Sequence, residues 1–174
     1  LLSQVPELKQ FNIGIDAITF DPPIDSSDME PELWGRIVAI IDRNYNKYDG
    51  FVILHGTDTM SFTASALSFM LEDLMKPVIL TGSQLPIDGL RTDGKENLIT
   101  AIEIAAAKNP DNTPVVPEVC IFFHEKLMRG NRTTKINSES FGAFGSNNYP
   151  LLAMAGTDIH YYPNNIKRYV PGLK

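Results

Sequence analysis

At 174 residues, with 43% apolar and 21% charged side chains, the chain has the make-up of a folded globular domain long enough to bury a substantial core. Fifteen basic against twenty-one acidic residues leave a formal charge of −6, which offers no electrostatic reason to bind a phosphate backbone or an anionic membrane. Nucleic acid and membrane partners are therefore not expected, and one cysteine, Cys120, with no signal peptide or long apolar span in the sequence, points to the cytoplasm.

In chain order, "FNIGIDAITF" (11–20) alternates apolar and polar residues in its first half, which predicts a strand, stopped by "DPP" at 21–23. Pro31 suits the first position of a helix, and Leu33, Trp34, Ile37 and Ile41 share one face of it until about Tyr45, before "KYDG". "FVIL" (51–54) reads as a buried strand. The helix expected from about Thr59 carries Phe62, Ala66, Phe69, Met70 and Leu74 at intervals of three or four, the pattern of a core-facing stripe. "KPVILTG" (76–82) is the next strand. Asp93 and Glu96 are spaced as a capping box for a helix over about 94–108, and "EVCIFFH" (118–124) supplies a further strand. From Arg129 onward the chain is rich in Gly, Asn and Ser and reads as irregular. The order β-α-β-α-β-α-β with continuous apolar runs predicts an α/β fold of three layers, a parallel sheet with helices on both faces.

In such sheets ligands bind beyond the carboxyl ends of the strands, where helix N-termini offer free N–H groups. Three polar segments leave consecutive strands on that edge: "HGTDT" (55–59), "TGSQLP" (81–86) and "HEKLMRGNRTTK" (124–135). The first strand leads to a fourth, "DSSDM" (25–29). Thr57 and Asp58 are the sharpest candidates, a hydroxyl and a carboxylate able to act as nucleophile and as orienting or proton-accepting group. Helix capping is the competing reading, although Thr57, Asp58 and Thr59 exceed what one cap needs and Gly56 allows close approach of the backbone. Lys135 reads as a surface lysine unless its loop folds over Asp58, where desolvation would lower its pKa and the carboxylate would raise it. "DSSDM" reads equally as a turn. A metal site is not expected: Cys120 and His124 would stand about 13 Å apart along a strand, and His55 and His160 read as loop or packing residues.

"FVILHGTDTM", "KPVILTGSQLPIDGLRTDGKENL", "RGNRTTK" and "DSSDM" together resemble the bacterial type I, cytoplasmic L-asparaginases, from about Phe11 to Leu152 and in the family's order. The resemblance implies a Rossmann-like asparaginase N-terminal domain over 1–174, leading from about residue 165 into an interdomain linker. It implies an amidohydrolase that converts L-asparagine to aspartate and ammonia through an acyl-threonine, without metal or organic cofactor, and that assembles as a homodimer or homotetramer. Thr57 and Asp58 match the family's catalytic Thr-Asp pair and Lys135 its catalytic lysine. Asp25, Ser26 and Ser27 match its substrate-binding loop, and Ser83 a position facing the substrate amide. The family's "TGGTI"-like motif, whose threonine is the usual primary nucleophile, is not in this sequence and is expected upstream of Leu1. Its smaller second domain is expected beyond "VPGLK".

Other readings are an ammonia-releasing subunit of a tRNA-dependent amidotransferase, disfavoured by "LPIDGLRTDGKENL", and a non-catalytic domain that senses asparagine or is purely structural. The sensing reading predicts saturable binding with no ammonia released even by the full-length protein, the structural reading predicts no binding, and the enzyme reading predicts turnover.

Overall fold

The computed structural model describes residues 5–172. Helix α1 (Pro31–Asn44) starts with Pro31 at its first position and gives way at Tyr45, where the sequence placed its end. Strand β1 (Phe51–Leu54), helix α2 (Met60–Met70), strand β2 (Val78–Thr81), helix α3 (Gly94–Ala106) and strand β3 (Val119–Phe123) follow in alternation. β1, β2 and β3 lie side by side and parallel, with Leu54 opposite Thr81 and Ile79 opposite Cys120.

Because side chains alternate along a strand, each of these strands feeds two cores. Val78, Leu80, Val119, Ile121 and Phe123 pack with Ile37, Ile41, Met60, Ala64 and Leu67 of α1 and α2. Ile79, Cys120 and Phe122 pack with Ala101, Ile104 and Ala105 of α3. The expected three layers are present.

Four expectations change. The stretch 11–20 forms no strand. Its alternation is spent on packing instead, with Ile13 and Ile15 set against a cluster of Val5, Leu8, Leu98 and Ile102. The sheet is mixed rather than wholly parallel: β4 (Lys126–Arg129), β7 (Ala153–Ala155) and β8 (Ile159–Tyr161) extend it antiparallel in the order β1-β2-β3-β4-β7-β8. The region from Arg129 is therefore not irregular, and it also holds a two-stranded ribbon, β5 (Thr134–Lys135) with β6 (Phe144–Gly145). These strands are two to four residues long, too short for a period to register. Last, α2 buries Met60, Ser61, Thr63, Ala64 and Leu67, while Phe62 and Phe69 stand 65% and 73% exposed. The helix is apolar on several sides, so two stripes fit its period, and packing on the sheet selects the one with small residues.

Candidate active site

The parallel pairing of β1 and β2 brings their carboxyl ends to one edge, where the His55 N–H continues the ladder to the Thr81 carbonyl at 2.9 Å. The chain then turns through Gly56, Thr57, Asp58 and Thr59 into α2. Ser26 lies directly against this turn: a Cβ on Gly56 would sit 2.3 Å from the Ser26 Oγ, so only glycine admits that contact. The Thr59 hydroxyl donates to the Ser26 carbonyl at 2.6 Å and makes no side-chain cap to its own helix. The third polar residue of "TDT" thus ties the 25–28 loop to the turn, which accounts for the surplus over capping.

Lys135 reaches the same turn by a route the sequence did not show. After β3, His124 and Glu125 adopt φ of 45° and 69°, a tight reversal that sends β4 back along β3. A short 3-10 turn at Gly130–Arg132 packs beside Ser68 of α2. The chain then runs back toward the start of the helix, about 14 Å at the rises of a short 3-10 turn and an extended strand, enough to cover the roughly 12 Å that α2 rises between Met60 and Ser68. Pairing of Lys135 with Phe144, whose ring packs edge-on to Phe123 at 5.0 Å, fixes the end of this return.

There the Lys135 Nζ donates to the Thr57 Oγ1 at 2.9 Å and to the Asp58 Oδ1 at 2.7 Å. Lys135 is enclosed, with 19% of its side chain exposed, against 68% for Asp58. Since Thr57 accepts from lysine, its own proton is left to point elsewhere. A hydroxyl, a cation and a carboxylate in one hydrogen-bonded line can pass a proton and neutralise developing charge.

The other expected residues are arranged around this trio. Asp25 accepts from the Ser27 N–H at 2.9 Å and from the Ser27 hydroxyl at 2.8 Å, which together hold the Asp25 carboxyl below its ordinary range. Ser26 is buried and Ser27 exposed. Ser83 follows β2, so it shares the edge, and none of the hydrogen bonds described joins it to the trio.

Beneath the turn runs a chain that sequence reasoning missed. The Trp34 Nε1–H donates to the Thr63 Oγ1 at 3.0 Å, Thr63 pairs with the His55 Nε2 at 2.8 Å, and the His55 Nδ1 lies 2.7 Å from the Gly56 carbonyl. The carbonyl can only accept, so the Nδ1 carries the proton, and the Thr63 hydroxyl donates to the Nε2. Burial pushes the His55 pKa down, opposed by the bond to Gly56. A threonine set at helical spacing among Met60, Ala64 and Leu67 was the available signal.

Asp93 departs from expectation as well. It makes no cap to α3, whose Gly94 N–H is taken by Thr92, and accepts instead from the backbone beside Ser83. Among the described residues no three His, Cys, Asp or Glu side chains converge as a metal site. Nor is any helix among the described residues long and apolar enough to cross a membrane. A cavity of about 210 Å³ lies elsewhere, beside Ser68, Glu118, Arg129 and Lys167. Its one carboxylate, Glu118, is already taken by Arg129 and the Lys167 N–H, so the candidate chemistry sits at the sheet edge.

The profile of the family "Asparaginase, N-terminal" matches residues 1–167. L-asparaginase 1 of Escherichia coli K12 is 53% identical over 154 residues, 88% of this chain and 43% of that protein. The 60 kDa lysophospholipase of Mus musculus is 53% identical over 138 residues, 79% of this chain and 23% of its own length. The crystal structure of L-asparaginase I from Vibrio cholerae superposes with a TM-score of 0.86 at 48% identity, covering 97% of this chain and 50% of that one. The chain thus spans half or less of the length of each.

Proposed function

The chain belongs to the asparaginase family, which it matches through the N-terminal domain, and from this we propose that the protein hydrolyses L-asparagine to L-aspartate and ammonia through an acyl-threonine. The observation that carries the reading is the Lys135 ammonium held between the Thr57 hydroxyl and the Asp58 carboxylate.

In the proposed reaction a threonine hydroxyl attacks the side-chain amide carbon. The new C–O bond forms as the amide C–N bond breaks, and the hydroxyl proton travels through Thr57 to the departing nitrogen, which leaves as ammonia. Water then splits the ester and returns the threonine. The family resemblance assigns the attacking hydroxyl to a "TGGTI"-like threonine, which this sequence does not contain. Thr57, Lys135 and Asp58 form the proton-passing and charge-stabilising part. Asp58 suits the substrate α-ammonium, the Ser26 hydroxyl with the start of α2 suits its α-carboxylate, and Asp25 and Ser27 complete the substrate-binding loop. Ser83 would face the amide. The reading asks for no metal or cofactor.

We further propose that residues 1–174 form the large N-terminal domain, running from about 165 into a linker, and that the protein is cytoplasmic, which the single buried Cys120 supports. A homodimer or homotetramer is also proposed. The outward face of α2, with Phe62 and Phe69 uncovered among the described residues, supports association with a second copy, and sedimentation of the full-length protein as a monomer would overturn it.

The test of function is ammonia release from asparagine by the full-length protein. Saturable asparagine binding without ammonia would favour a sensor instead. The lysophospholipase relative supports a second reading, ester cleavage, since an acyl-threonine can form from an ester as from an amide. Fatty-acid release from a lysophospholipid in the absence of asparagine turnover would favour it.

A further inference from the structure

Outside the trio, two polar side chains at the start of α3, Asp93 and Asn97, serve the neighbouring strand ends. The Asp93 carboxylate accepts from the Gln84 N–H at 3.0 and 3.1 Å and from the Leu85 N–H at 3.3 Å. One turn on, Asn97 is 3% exposed and donates to the Gly82 carbonyl at 2.9 Å and to Asp93 at 3.3 Å, while its oxygen accepts the His124 N–H at 3.1 Å. The residues on both sides of Ser83 are therefore gripped from α3. The helix also abuts Ser83 itself: a Cβ on Gly94 would lie 3.1 Å from the Ser83 Cβ. Gln84 extends the grip by donating to the Ser140 carbonyl at 3.1 Å.

We propose that Asp93, seconded by Asn97, is a positioning residue that fixes the Ser83 segment and so sets how far from the catalytic turn the substrate amide must lie. The proposal rests on the asparaginase reading of the site. Two adjacent backbone N–H groups converge on the Asp93 Oδ1 while Oδ2 takes the Gln84 N–H and the Asn97 amide, and a carboxylate at the entry of α3 meets all of these donors at once. Asparagine and glutamine differ by one methylene, a difference that a rigid pocket converts into about 10–200-fold discrimination. A segment released from Asp93 has no fixed depth, and that discrimination falls.

The experiment measures kcat/KM for asparagine and for glutamine, by ammonia release, in the full-length enzyme and in its Asp93→Ser and Asp93→Asn variants. Serine is itself a good helix cap but is too short to hold Gln84 and Leu85. A residue acting only as a cap would therefore leave Asp93→Ser like wild type. The ratio of the two kcat/KM values does not depend on the fraction of enzyme that folds, so a loss of stability alone does not move it. We expect the ratio to change at least fivefold in Asp93→Ser and less in Asp93→Asn, which keeps one acceptor oxygen. An unchanged ratio in both variants overturns the proposal while leaving the asparaginase reading intact. A wild-type enzyme silent on both amides overturns that reading and this proposal with it.

Discussion

Lys135 meets Thr57 across 78 positions of sequence, and that contact sets the first prediction. Thr57→Val removes the hydroxyl at nearly constant volume, and Lys135→Met removes the cation while keeping the stem. Each is expected to lower kcat/KM for asparagine in the full-length protein by about three orders of magnitude, or about 4 kcal/mol of transition-state stabilisation. Near-normal turnover in Thr57→Val would remove Thr57 from the reaction. His55 supports a prediction on stability. Its pKa is depressed by burial, so the unfolded chain binds a proton more readily as pH falls below about 6.5, the ordinary imidazole value. The contribution of neutral His55 is thus complete above that pH and is lost as pH falls through the lower folded-state value. Urea midpoints between pH 7 and 5 should fall more steeply in wild type than in His55→Gln, and parallel profiles would contradict the neutral ring.

At the scale of elements, the turn between β1 and α2 works because a loop from far upstream seats against it. Gly56→Ala forces a methyl to within 2.3 Å of the Ser26 Oγ and 2.6 Å of its Cβ. Either Ser26 or the turn must give way, and since Ser26 is the buried member of the 25–28 loop, the loop is displaced. The expected result is a KM for asparagine raised more than tenfold with a smaller change in kcat, read by steady-state kinetics. An unchanged KM would mean that the loop does not bind substrate. The same scale shows how legible the chain was. The buried runs "VILT" and "VCIFF" and the Pro31 start gave up their elements directly, because burial on both faces leaves a continuous apolar run and proline at N1 is a local signal; "FVIL" was found as a strand but not as a buried one, since it lies at the sheet edge with Leu54 exposed. The outward stripe of α2 misled, because Phe62 and Phe69 repeat with the same period as Met60, Thr63 and Leu67.

For the molecule as a whole, a buried ion pair holds the later strands and the 163–167 segment to the sheet. Arg129 binds both oxygens of Glu118, at 2.6 and 3.2 Å, and also the Asn165 carbonyl, while the Lys167 N–H donates to the same carboxylate. Arg129→Leu leaves Glu118, with 7% of its side chain exposed, without its cation. The expected cost is about 3–5 kcal/mol in denaturant unfolding. Glu118→Gln in the same protein should recover part of it, and a loss below 1 kcal/mol in the single variant would deny the pair its structural role. At this scale the division between sequence and structure is plain. The sequence by itself determined the α/β class, the polar edge and the identity of Thr57, Asp58 and Lys135 as candidates, because strand burial, turn chemistry and motif are written in neighbouring residues. Only the tertiary structure decided that β4 turns back, that Lys135 returns along α2 to Thr57, that Thr59 serves Ser26 and that Asp93 serves the Ser83 segment. Those are contacts between residues distant in sequence, and no local period or propensity encodes which partner a polar side chain will find.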